Sequence, residues 1–300
     1  MSICMKAKFF DYFIRSIMIM ATSFAVIVPL GILTLLIVKS VQFFKMVPIS
    51  EFLFGVNWAP RDDIVRDHFG VLPVLMGSIS TATIAIITTV IIGSAIGCYL
   101  AEYTTKKQHY FLRVILDMFS GIPSIVYAFF VAVTCTPYFV WLANSKNAVF
   151  HFDPESALVI GFFIGILTVP FFAALVDDAL KSAPKRLYDA ALSLGTTKTE
   201  VMFDIIIPYV SKQLMSSFLF ALSRCFGETV IAMIAGSIIS RATLNPLISN
   251  STATAQIVTL ATSDSDFASP RALSTFALAL LLFCFTFAIN TIGGYIEHKK

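Results

Sequence analysis

Charge is what this sequence has least of. Only 13% of its 300 residues are Asp, Glu, Lys or Arg, about half the share of an ordinary soluble domain. No CxxC pair occurs, and the five cysteines, Cys4, Cys98, Cys135, Cys225 and Cys284, are odd in number. That argues against a disulfide framework and for small buried apolar side chains. The four histidines, His68, His109, His151 and His298, are scattered and no HExxH is present, so a metal site has little support. The dipeptide Gly-Lys never occurs, which excludes a Walker A phosphate loop. A net charge of +3 is too small to suggest nucleic acid.

Apolar side chains are plentiful instead. Hydrophobic residues make up 57% of the chain, with 29 Phe among them. No soluble core of this length needs so much apolar surface. Six runs are long enough to cross about 30 Å of hydrocarbon: residues 17–38, 74–100, 113–141, 157–176, 213–239 and 272–294. The second and third are long enough to tilt or break. The first exceeds the usual apolar core of a signal peptide and has no A-x-A site, so it reads as an uncleaved span. The expected fold is an all-α membrane protein of six spans.

Basic residues give the orientation. With the N-terminus inside, Lys6, Lys8, Arg15, Lys106, Lys107, Arg113, Lys181, Lys185, Arg186, Lys198, Lys212, Lys299 and Lys300 lie inside. Lys39, Lys45, Arg61, Arg66, Lys146, Arg241 and Arg271 lie outside. The bias places both termini in the cytoplasm. Outside segments 39–73 and 240–271 are long; the first is aromatic, and the second has an apolar patch at 255–261 fit for a short re-entrant or interfacial helix.

The inside segment 182–208 reads SAPKRLYDAALSLGTTKTEVMFDIIIP. Ser182 can cap a helix whose first turn holds Pro184. Leu187, Ala190, Ala191 and Leu194 form one apolar face. Gly195 can take the left-handed conformation that ends the helix. Thr197 or Thr199 can start a second helix, and Pro208 marks the turn into the fifth span. Periodicity alone leaves an amphipathic surface helix equally open.

Two full charges stand inside the fifth run: Arg224 and, four residues on, Glu228. Counted from Lys212, Arg224 lies roughly 18 Å along the helix, near mid-bilayer. An unpaired charge there costs about 2.5–3.5 kcal/mol or more. At this spacing the two share a helix face and can pair directly. One reading is a structural pair that pins the helix to a neighbour. The other is a guanidinium that faces a path and attracts an oxyanion with its fork of donors. In that reading Glu228 moderates the attraction and Gly227 leaves room for the ion. Gly93-x-x-x-Gly97 and Gly161-x-x-x-Gly165 read as helix-packing motifs. Gly121, Pro123 and Ser124 can open or kink the third span. Glu102 and Tyr103 read as solvated end residues.

The spacing Asp189-Ala190-Ala191, three residues, Gly195, nine residues, Ile205-x-Ile207-Pro208 resembles the EAA loop of ABC importer permeases. That pattern has Glu for Asp189 and Leu for Ile207. FLFGVNWAPRDD (52–63), FGVLPVLMGSIS (69–80), YLAEYTTKK (99–107), GIPSIVYAFF (121–130) and RCFGETVIAMIAG (224–236) together resemble the phosphate importer permeases of the PstC type. Ser78 and Ser120 depart from that pattern, and the PstA-type sister shares the loop; the W-x-P stretch at 58–60 favours the PstC type. The resemblance implies a type I, MetI-like permease fold, with residues 1–73 as N-terminal span and extracytoplasmic loop and 74–294 as the permease domain. It implies a coupling loop, 182–208, that docks on a separate ATPase subunit dimer (PstB type). A PstA-type second permease, a PstS-type extracytoplasmic binding protein and inorganic phosphate complete the expected partners, in a bacterial inner membrane. No catalytic residue, cofactor or metal is expected in the chain itself. A permease for sulfate, molybdate or phosphonate, or a secondary transporter with Glu228 carrying protons, stays open on the residues alone.

Overall fold

The computed structural model describes residues 2–61, 68–143, 153–263, 266 and 268–298, and their side chains from Tyr12 to Glu297. Lys6, Lys8, Arg66, Lys146, Lys299 and Lys300, used above for orientation, fall outside the described side chains, as do Cys4, His151 and His298.

Six helical stretches are long and apolar enough to span a membrane: Tyr12–Phe44, Leu72–Tyr103, Ser124–Leu142, Ala157–Lys181, Ser211–Ile234 and Pro270–Glu297. The order is α1 (Ser2–Phe44), a short α2 (Ile49–Phe54), α3 (Leu72–Cys98) running into a π-helical turn, π1 (Tyr99–Tyr103), and α4 (Lys106–Ser120). Next come α5 (Ser124–Phe130), π2 (Val131–Cys135), α6 (Thr136–Ala143) and α7 (Ala157–Lys181). Then follow α8 (Lys185–Ser193), α9 (Lys198–Glu200), π3 (Val201–Ile206), α10 (Ile207–Tyr209), α11 (Ser211–Gly227), α12 (Val230–Ile234), α13 (Ala253–Ala261) and α14 (Pro270–His298).

The six runs are present, but two are not single helices. The apolar run 113–141 divides at Gly121–Pro123. Its first part belongs to α4, which Thr105 and Gln108 start with reciprocal capping bonds. Pro123 cannot donate a backbone bond and ends that continuity. The span itself begins only at Ser124. The run 213–239 breaks at Glu228 and its helical part ends at Ile234.

The core is the α3–α7 pair. Both glycine motifs lie in this seam. A β-carbon on Gly161 would stand 2.6 Å from the Thr81 carbonyl oxygen, and one on Gly97 would stand 2.6 Å from the Val176 Cβ. Small residues let two backbones meet, and in lipid such packing replaces the missing hydrophobic drive. The Thr89 hydroxyl shares its donation between the Ala85 carbonyl of its own helix at 2.7 Å and the Gly165 carbonyl across the seam at 3.1 Å. At the end opposite the 182–208 loop, Phe43, Phe52, Trp58 and Phe69 form an edge-on aromatic cluster against α13 and α14. The patch predicted at 255–261 is α13, capped by Thr252 and folded back against α12, α14 and α3. Its Gln256 is buried, accepts from the Trp58 indole at 3.1 Å and donates to the Ile238 carbonyl.

Candidate functional site: an interrupted helix and the loop below it

Helix α11 carries Arg224 in its last turn and ends at Gly227. A cation there complements the partial negative charge of the free carbonyls. Glu228 leaves the helix with φ −67° and ψ 121°. That overturns the direct Arg224–Glu228 pair, which needed an unbroken helix. The Arg224 guanidinium lies over the Phe171 ring of α7, 5.1 Å from its centroid, and the Glu228 carboxylate accepts the Val230 N–H at 3.2 Å. The ion pairs of His109, Arg113, Lys181 and Lys198 lie elsewhere, at the loop end of the bundle.

The break satisfies its own backbone. The Glu228 carbonyl accepts the Thr254 hydroxyl of α13 at 2.9 Å, and the Gly227 carbonyl accepts the Thr229 hydroxyl at 3.1 Å. Irregular backbone at membrane depth persists only where protein or a polar cavity receives it. Arg224 and Gly227 are exposed on the chain by itself, and Glu228 is half-buried. A β-carbon on Gly227 would meet no atom within 4 Å. Arg224 and Gly227, three positions apart on α11, are therefore left uncovered by this chain, and Glu228 follows them half-buried at the break.

The loop has the predicted shape with two changes. Gly195 adopts φ +87°, the single positive φ among the described residues, and Thr197 starts the second helix with Glu200 returning its bond. The Thr197 N–H and hydroxyl hold the Glu200 carboxyl below its usual range. Ser182, however, ends α7 by donating to the Ala179 carbonyl, and Pro184 precedes α8 without a side-chain cap. The apolar face is also divided. Leu187 and Ala191 turn inward with Tyr188 and Leu192, whereas Ala190 is exposed and Leu194 is 85% exposed. Asp189 and Gly195 are exposed beside them. Ile205 and Ile207 pack half-buried on the core, Pro208 is exposed, and the turn into α11 falls at Val210.

Two groups of residues were missed from sequence. Glu102, read as solvated, keeps only 9% of its side chain exposed. It accepts the Tyr188 hydroxyl and lies 3.6 Å from the Lys198 Nζ. Burial first, and the Glu102 bond second, push the Tyr188 phenol up to about 12. Tyr103 reaches the Thr199 hydroxyl at 3.0 Å. The second group centres on Asp177, 1% exposed at the loop end of α7. Its carboxylate meets His109 at 2.8 Å, Arg113 at 3.1 Å and Lys181 at 2.8 Å. Arg113 also forks onto Asp178 at 3.0 and 3.1 Å, a bond that raises its already high pKa. The reciprocal spacing of Lys181 four residues after Asp177 was the available signal.

Residues 93–300 match the family model of the binding-protein-dependent transport system inner membrane component, and the chain belongs to that family. It is a membrane subunit of ABC transporters. Among curated relatives, the phosphate transport system permease protein PstC of Xylella fastidiosa is 26% identical over 94% of this chain and 87% of its own length. The PstC protein of Mesorhizobium japonicum is 28% identical over 82% and 77%, and the probable PstC protein of Methanocaldococcus jannaschii is 26% identical over 84% of both. In fold, the chain resembles the MetNI methionine ABC transporter in an inward-facing conformation, with TM-score 0.55 at 15% identity over 74% of this chain and 91% of that one.

Proposed function

We propose that this chain is the permease subunit through which an ABC importer moves inorganic phosphate inward across a bacterial inner membrane. The relatives named for phosphate transport support the substrate. The observation that carries the site is Arg224 on an unclosed wall beside a break in its own helix. A guanidinium facing lipid at mid-span is costly, so a second, PstA-type permease covers this wall and the anion passes between the two chains. The five donors of Arg224 receive two phosphate oxygens. Glu228, fixed apart from Arg224 by the break, repels an anion that would otherwise stay bound. A path needs both entry and exit.

Asp189 and Ala190 on α8, with Leu194 and Gly195 just after it, form an exposed face of the loop. This face docks on the PstB-type ATPase dimer, with both termini on the same cytoplasmic side. Ile205, Ile207 and Pro208 join it to α11. Residues 39–73 and 240–271 receive the PstS-type binding protein. In this division residues 1–73 are an addition to the permease domain at 74–294.

The structural reading of Arg224, as a helix-end cation stacked on Phe171, has its own support in that 5.1 Å contact. Phosphate uptake by Arg224→Gln separates the two. A carrier role gives uptake reduced by about a hundredfold, on the scale of one lost charged phosphate contact, with assembly intact. Loss of assembly, or normal uptake, favours the structural role.

A further inference from the structure

The chain itself joins the loop to the bundle at both ends, from α7 through Ser182–Pro184 and through Pro208 into α11. A third attachment does not follow the chain. It is made by residues 86 and 96 positions away in sequence, in the π1 turn after α3. Glu102 accepts the Tyr188 hydroxyl on the α8 side of Gly195 and sits beside Lys198 on the α9 side. Tyr103 bonds Thr199, again on the α9 side. The left-handed Gly195 corner is therefore bridged from below, and both arms are held to π1.

We propose that Glu102 is a positioning residue that fastens the coupling loop to the inner end of the second span, so that the loop, α3 and α7 move as one body. The proposal rests on the transport reading above. Three observations carry it. A carboxylate at the mouth of a loop is ordinarily solvated, yet this one is nearly covered. Its partners come from both sides of the corner, so it holds the shape of the loop and its place together. The far side of α8, with Ala190 and Leu194, remains free, so fastening and docking use opposite faces. Beyond π1, α3 is locked to α7 through the glycine seam. A push on α8 then displaces α3, α7 and α11 jointly, and does not tilt α11 alone. The π turns π1 and π3, where regular winding yields beside the loop, lie where α3 reaches it and where it leads toward α11.

The test uses the whole complex in proteoliposomes, with permease partner, ATPase and binding protein. Glu102→Gln and Tyr188→Phe are each expected to lower phosphate moved per ATP hydrolysed by roughly fivefold or more, a usual coupling magnitude, while ATP hydrolysis persists. An unchanged ratio overturns the proposal. Should either variant fail to assemble, a second measurement decides. Cysteines replace Tyr103 and Thr199 in a chain freed of its own five, and a bifunctional thiol reagent joins them. Transport that survives this cross-link supports a single moving body; transport that stops overturns it. A parent complex that hydrolyses ATP without moving phosphate sinks the substrate reading instead. The fastening is then judged by the cross-link's effect on ATP hydrolysis stimulated by the binding protein: unaltered stimulation supports it and lost stimulation overturns it.

Discussion

Gly165 and Gly227 sit on adjacent helices and do opposite things. A β-carbon on Gly165 would lie 2.7 Å from both the Ala85 carbonyl oxygen and the Thr88 Cβ. One on Gly227 would touch nothing within 4 Å. The first glycine closes a seam; the second keeps a surface open. The α3–α7 pair is thus a finished, close-packed interface, with the Thr89 hydroxyl within 3.1 Å of the Gly165 carbonyl across it. The α11–α12 junction is left open by this chain: Arg224 and Gly227 are exposed there, and Glu228 is half-buried with its carboxylate on the Val230 N–H. In the proposed reading, the α3–α7 half of the chain supplies the scaffold and the α11–α12 half supplies one side of a pathway.

The strongest way to break this contrast is Gly165→Leu. Overpacking a fitted contact costs about 1–3 kcal/mol, and more where backbone must yield. Here the obstructing atoms are a carbonyl and a Cβ, which cannot swing aside. Recovery of assembled complex from membranes should collapse. Normal recovery and an unchanged melting midpoint in detergent would show that the seam is not close-packed.

How much of this was legible beforehand follows from the kind of signal each feature leaves. The seam glycines were readable because four-residue spacing of small side chains has one common use in lipid. The six spans were readable because twenty apolar residues leave few alternatives. The break at Glu228 was not, since no proline marks it and Glu fits a helix well; Thr254, 26 residues away, receives the exposed carbonyl only in the folded chain. The break of 113–141 at Gly121–Pro123 was legible from those residues; that its first part is the separate helix α4 was not, because Val114, Ile115, Met118 and Phe119 merge in composition with the true span. The charged face of α4 shows only when Arg113 meets Asp178 across 65 residues. Glu102 was misread for the same reason: its partners are remote in sequence.

The same seam ends at the loop side in Asp177, which offers a milder test. Asp177→Asn leaves His109, Arg113 and Lys181 facing an amide. Removing one partner of a buried ion pair costs about 3–5 kcal/mol. Arg113 and Lys181 keep 26% and 40% of their side chains exposed, so the low end applies. A drop in the thermal midpoint of the purified complex is expected, with uptake by the surviving fraction close to normal. A midpoint equal to the parent's would mean that α4 is not held to α7 by charge.

The smallest change bears most directly on the open wall. Gly227 has an ordinary negative φ, so alanine fits its backbone. Alanine also favours a helix over glycine by about 1 kcal/mol, so Gly227→Ala should assemble at least as well as the parent. If the wall borders the anion's route, the added methyl stands beside Arg224 and narrows it. Uptake should then fall by roughly tenfold, the lower end of what one methyl does in a fitted site. If the wall merely meets lipid or an apolar neighbour, uptake is unchanged. A substitution that leaves the fold alone and slows the cargo would separate the two glycines by function as clearly as 2.7 Å against empty space separates them by packing.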